Sequence, residues 1–243
     1  VVWIIFYTKW DLVGLYLFHC FLLIALLTWS LVSYDRQQVP MRSIGTTFGL
    51  AMIPVIIWPG LLLVSWGADE AGRWRPTRID ALATVAIGAF VGLVAGALVS
   101  VLLNWRRSFP NLLPDREFVA GSSLAGAMLG WQAGLSVMVL ALLVRLVQKG
   151  ISTAHPSLCV ENWPLTGAVL IATLVQLLTW RLQALSITAW WPVVGVSLSA
   201  IAVWLLAATM LIAAIRLMDR GNRSTSPADP SRAVHFSEPL GKA

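Results

Sequence analysis

The stretch Ser33-Tyr34-Asp35-Arg36-Gln37-Gln38-Val39-Pro40-Met41 decides how this chain is read. It closes one long apolar run, precedes another, and carries Asp35, the only acidic residue between the two. A carboxylate at the joint of two apolar helices is either a catalytic acid or a solvated loop charge. The residues on both sides bear on that choice.

Outward from the joint, apolar runs long enough to cross a bilayer recur. A span needs about 20 apolar residues, and only helices or closed barrels satisfy their backbone in lipid. These runs are continuous rather than alternating, which excludes a barrel. Composition agrees: 58% of residues are hydrophobic and 12% charged, where a soluble domain has about a quarter charged. The fold class is therefore all-α, a polytopic transmembrane bundle of about six to seven spans.

The expected spans are Leu12 to Ser33, Ile44 to Trp66, Ala81 to Asn104, Phe118 to Gln148, Pro164 to Thr179 and Trp190 to Met218. Pro54 and Pro59 should kink or shorten the second. In the third, Gly88, Gly92 and Gly96 form a stripe that lets another backbone approach closely. The fourth is longer than one untilted crossing requires, and reads as one long helix or as two short ones meeting near Gly130-Trp131-Gln132. Residues 1–218 thus form one membrane domain. From Asp219 to Ala243 the chain is rich in Ser, Pro, Gly and charge and reads as a disordered cytoplasmic tail. The opening Val1-Val2-Trp3-Ile4-Ile5-Phe6 has no initiator Met and reads as the end of a helix that starts upstream.

Charge bias arbitrates the long fourth segment. If it crosses once, the basic residues fall on the wrong sides. If it crosses twice, Arg145, Lys149, Arg216, Arg220 and Arg223 join Arg36, Arg42, Arg106, Arg107 and Arg116 on the side of the Asp35 joint, as the positive-inside rule prefers. The net charge of +6 is accounted for by this orientation, with no nucleic-acid partner implied. Two cysteines, Cys20 and Cys159, with His19, His155 and His235, suggest no metal site and no cofactor. His19 lies inside the first span, where a neutral imidazole bonded to a neighbouring helix is the plainer reading than a functional one.

Two stretches resemble a known family. The joint Ser33 to Pro40 is similar to the first signature of type IV prepilin peptidases, an apolar helix ending in Ile-Asp-Leu-Asp, a few polar residues and then Leu-Pro or Ile-Pro. Gly126-Ala127-Met128-Leu129-Gly130-Trp131-Gln132 resembles the Gly-Ala-Phe-Leu-Gly-Trp-Gln that follows that family's Gly-x-Gly-Asp motif. Trp163-Pro164-Leu165-Thr166-Gly167-Ala168 is a weaker echo of a later helix start. The resemblance implies an aspartic endopeptidase of the bacterial inner membrane, multi-pass, which removes basic leaders from prepilin or pseudopilin substrate helices of a type IV pilus or type II secretion system. Its chemistry needs two carboxylates close together, one ionised to activate water and one protonated.

The sequence departs from that pattern at the acids. Counted back from Pro40, the family's catalytic aspartate falls on Ser33, and Asp35 takes its place only in a joint two residues shorter. Counted back from Gly126, the second aspartate falls on Phe118, with Glu117 beside it and Asp115 three before. The expected catalytic set is accordingly Asp35 with Glu117 or Asp115. The alternatives are that Asp115 and Glu117 only cap the helix they precede or open, that the fold has lost its acids and serves as a membrane scaffold in a pilus or secretion assembly, or that the chain is a small transporter.

Overall fold

A computed structural model describes residues 10–61, 78–104, 115–154, 163–185 and 198–224. Within them the chain forms seven α-helices and no strand. They are α1 (Trp10–Tyr34), α2 (Met41–Ile57), α3 (Arg78–Asn104), α4 (Arg116–Leu129), α5 (Trp131–Ala154), α6 (Leu165–Leu185) and α7 (Leu198–Ser224). Val13–Tyr34, Arg78–Leu103 and Trp131–Ala154 are long and apolar enough to cross a membrane, and α2, α6 and α7 contain shorter apolar segments. Large apolar side chains such as Leu17, Ile57, Phe90, Leu178 and Met210 stand exposed on the outer faces. On a membrane protein that surface faces lipid and needs no aqueous partner.

Local chemistry sets the breaks. The first helix ends in a paired closure: Arg36 N–H donates to the Ser33 carbonyl at 3.1 Å and Gln37 N–H to the Val32 carbonyl at 3.1 Å. Arg36 adopts φ 57° to permit this, the left-handed position that glycine usually fills. Asp35 is the residue between helix and reversal. The second helix stops earlier than the expected Trp66. Trp58 precedes Pro59, is pushed to φ −134°, ψ 81°, and a short 3-10 turn at Pro59–Leu61 follows, because a residue before proline is disfavoured in the helical region. Residues 62–66 of the expected span lie outside the described residues.

The long fourth segment is two helices. Gly130 takes φ 90°, ψ 159° and turns the chain so sharply that a Cβ on Gly134 would sit 2.9 Å from the Gly126 Cα. In one straight helix those residues would be about 12 Å apart. The chain therefore enters the bundle along α4 and returns along α5. Having 14 residues, α4 is about 21 Å long, short of a full crossing of about 30 Å. Every residue from Gly121 to Leu129 is buried, so it forms the centre of the bundle rather than a lipid-facing wall.

Close backbone approach makes room for it. A Cβ on Gly88 would fall 2.1 Å from the Gly126 carbonyl oxygen, and one on Gly92 would fall 2.3 Å from that of Ser122. The glycine stripe of α3 thus receives α4 antiparallel, and the Asp115 N–H closes the register by donating to Ser100 Oγ at 2.7 Å. Around this pair the fully buried Leu22, Leu26 and Trp29 of α1, Leu124 and Met128 of α4, Val137 and Leu142 of α5 and Val169 of α6 complete the core.

Contacts between helix ends fix the topology. Ser136 meets Gln176 and Arg145 Nη1 reaches the Trp163 carbonyl at 3.1 Å, so α5 and α6 are antiparallel. Gly167 lies against Ser30, and Arg216 of α7 donates through Nε to the Leu102 carbonyl at 3.0 Å. The end of α3, the starts of α4 and α6, and the ends of α5 and α7 all share the end of the bundle where the Asp35 joint lies. Gly14, Trp58 and Leu61 meet at the other end. The last helix continues through Asp219 to Ser224; residues 225–243 of the expected tail and 1–9 of the opening lie outside the described residues.

Candidate functional site

At the joint end, four segments converge: the linker 35–40, the first turn of α2, the end of α3 and the start of α4. Val39 is the point of attachment. Its side chain is buried, its N–H donates to Glu117 Oε1 at 3.1 Å, and its carbonyl accepts from Arg116 Nη2. Two consecutive residues of α4 therefore hold both polar groups of one linker residue 77 and 78 positions away. Among the described residues Glu117 is the only buried carboxylate. Its position in the first turn of α4 suits a negative charge, since the helix dipole is positive there, and a carboxylate accepting a backbone N–H makes a charge-assisted bond.

Asp115 is the residue that precedes α4, extended at φ −60°, ψ 104°, and its side chain makes no capping hydrogen bond. It lies at the mouth of a groove of about 660 Å³. One wall is Gln38, Met41, Ile44 and Phe48 from the joint and α2; the other is Leu93 of α3 with Asp115, Arg116, Glu117, Val119, Ala120 and Ser123 of α4. The mouth is charged and the depth apolar. The guanidinium that bridges to Val39 through Nη2 has its Nε buried with no hydrogen-bond partner among the described residues.

The structure brings Glu117 and Asp115 together at this groove and leaves Asp35 out of its lining. Asp35 is exposed at the C-terminal end of α1, next to the reversal at Arg36. Ser33, the counterpart of the family's first aspartate, is half-buried and gives its carbonyl to the helix closure. Phe118, the counterpart of the second, is 1% exposed within the core. One turn on, Ser122 is bonded through Oγ to the Phe118 carbonyl at 2.7 Å. Each of these positions is filled by a residue that packs.

Nothing in the residue order points to Arg116 and the Val39 peptide as part of the site. Arg116 counted only toward charge bias, and a backbone acceptor pair leaves no trace in side-chain identity. A second polar feature also went unread: Ser136 Oγ and Gln176 Oε1 lie 2.6 Å apart in the seam of α5 and α6, with Gln132 and Thr173 buried nearby in sequence on the same two helices. Its signal was present, because polar residues three or four apart within an apolar helix share a face and mark it as inward. His19 is buried, and among the described residues its Nε2 has no partner; its hydrogen bond goes to the backbone of Leu15 on its own helix rather than to a neighbouring helix as expected.

No family model, no curated protein and no solved structure matches this chain.

Proposed function

We propose that this chain is a membrane protein of the prepilin-peptidase type, which takes the apolar helix of a prepilin- or pseudopilin-like substrate into the groove between α2 and α4 and hydrolyses the peptide bond before that helix. The observation that carries the reading is the groove itself: apolar side chains along its depth and Asp115 and Glu117 at its mouth. A prepilin presents the matching order, a basic leader followed by an apolar helix. Asp115 and Glu117, beside the single cation Arg116, offer the leader a local counter-charge at the mouth, and burying the helix in an apolar groove is favourable at about 25 cal/mol per Å². In this reading Asp115 and Glu117 act as the acid and base, with Asp35 approaching from the joint.

Orientation follows from charge. Arg36, Arg42, Arg116, Arg145, Lys149 and Arg216 stand at the joint end, whereas Arg78 begins α3 and Arg181 lies near the end of α6 at the other. The positive-inside rule favours the cytoplasmic side for the joint and the groove mouth, which in this reading is the cytoplasmic face of a bacterial inner membrane.

One observation favours a second reading, helix binding without cleavage. Glu117 already spends its Oε1 on Val39, and Asp35 is not part of the groove, so the site works as a receptor even if no acid pair forms. Co-expression with a prepilin separates the two. A photo-crosslinking residue at Phe48 reports occupancy, and a gel shift reports leader removal. Cleavage that is lost in Asp115→Ala and Glu117→Gln supports the peptidase, and crosslinking without cleavage supports the receptor. Neither signal with any cognate prepilin removes both readings, and cleavage surviving Asp35→Ala removes the role given to Asp35.

A further inference from the structure

We infer that α2 is a movable wall of the groove, hinged at its C-terminal end and held shut at its N-terminal end by the clamp of Arg116 and Glu117 on Val39. The distribution of burial along α2 carries this. Its two buried side chains are Ala51 and Val55, both in the C-terminal half, and the turn beyond them seats Trp58 and Leu61 on Gly14 of α1. From Met41 to Leu50 no side chain is buried. That half stands across the groove from α4, with Ile44 and Phe48 half-buried, lining the groove and touching only the edge of the core.

An N-terminal half with no fully buried side chain, touching the core only through half-buried Ile44 and Phe48, depends on what its end is tied to. The tie is Val39, one residue before Pro40, whose N–H and carbonyl are both taken by α4. Segments with few buried apolar contacts open at low free energy, and removing a buried tie lowers it further. The same clamp that closes the groove mouth is therefore the element that a substrate must displace or bypass to seat its helix. The proposed function enters only in naming that helix; clamp and hinge stand on the contacts alone.

The test uses the full chain in lipid nanodiscs with no substrate, so its outcome is independent of whether any prepilin is cleaved. With Cys20 and Cys159 replaced by serine, nitroxide labels at Leu50 of α2 and Val147 of α5, both exposed, report the position of the wall by pulsed electron resonance. A second pair at Leu17 of α1 and Val147 reports the frame. Arg116→Ala and Glu117→Ala should shift the Leu50–Val147 distribution to longer, broader distances with the Leu17–Val147 distribution unchanged, and Glu117→Gln, which keeps the acceptor, should leave both as in wild type. An unchanged Leu50–Val147 distance in both alanine variants overturns the gate. So does a Leu17–Val147 distance that moves as much in both, which would give Arg116 and Glu117 a general structural role.

Discussion

Glu117 accepts the backbone N–H of Val39 at 3.1 Å across 78 residues of chain, and with the Arg116 bond to the Val39 carbonyl it ties the joint to the start of α4. The bond is buried, so its loss leaves an orphaned donor rather than a solvated one. Glu117→Ala is expected to lower stability by about 1–3 kcal/mol. Glu117→Gln keeps an oxygen for the N–H and loses only the charge at the start of α4, about 0.3–1 kcal/mol. Thermal unfolding of the detergent-solubilised protein, followed by size-exclusion chromatography, ranks the two. A Gln variant as unstable as the Ala variant would show that charge, not the acceptor, is what the site needs.

The glycines of α3 and α4 divide sharply by surroundings. A methyl on Gly88 would meet the Gly126 carbonyl oxygen at 2.1 Å, and one on Gly126 would meet that of Gly88 at 2.2 Å. Backbone cannot swing aside as a side chain can, so Gly88→Ala or Gly126→Ala should cost at least the usual overpacking penalty of about 1–3 kcal/mol. On α2, Gly45 and Gly49 have nothing within 4 Å of such a methyl. There Ala should be neutral or stabilising by up to about 1 kcal/mol through helix propensity. The same unfolding assay on the four single variants checks the contrast, and equal losses at all four would contradict the close approach of α3 and α4.

How far these features could be read beforehand depended on whether a side chain announced them. The stripe Gly88, Gly92 and Gly96 declared a close helix contact because three small residues share a face. The break at Gly130 was legible through length and charge, since 31 residues with Arg145 and Lys149 at their end fit two passes better than one. What no residue announced was which helix would fill the stripe. That follows from tertiary contacts such as Gly88 against Gly126. At the site, Asp115 and Glu117 were found through their distance from a motif, but Arg116 and Val39 were invisible, because the groups that matter at Val39 are its peptide N–H and carbonyl.

Arg36 holds φ 57° without being glycine. For a residue with a Cβ that conformation costs about 1–2 kcal/mol, part of which a glycine would recover against its own larger entropy loss on folding. Arg36→Gly should therefore stabilise the joint by about 0.5–1 kcal/mol, and Arg36→Ala should not. Gly130→Ala, forced to φ 90°, should destabilise. A melting temperature for Arg36→Gly at or below that of Arg36→Ala would show that the closure after Tyr34 does not control the end of α1.

Ser136 and Gln176 are both within 1% of complete burial, and their oxygens lie 2.6 Å apart, the short separation of a hydroxyl donating to an amide oxygen. Inside a bilayer such a bond is worth about 0.6 kcal/mol on average and up to about 1.7 kcal/mol, because the unfolded segments also find partners. Ser136→Ala removes the donor and strands the Gln176 oxygen, while Gln176→Leu removes the acceptor and replaces a polar group by an apolar one of similar size. The double variant strands neither partner, so its loss should be smaller than the sum of the single losses by about 0.5–1.5 kcal/mol. Unfolding free energies for wild type, the two singles and the double close the cycle. A coupling near zero would mean that the seam between α5 and α6 is held by apolar contact alone, and that the polar pair sits there for a reason other than holding the return helix in place.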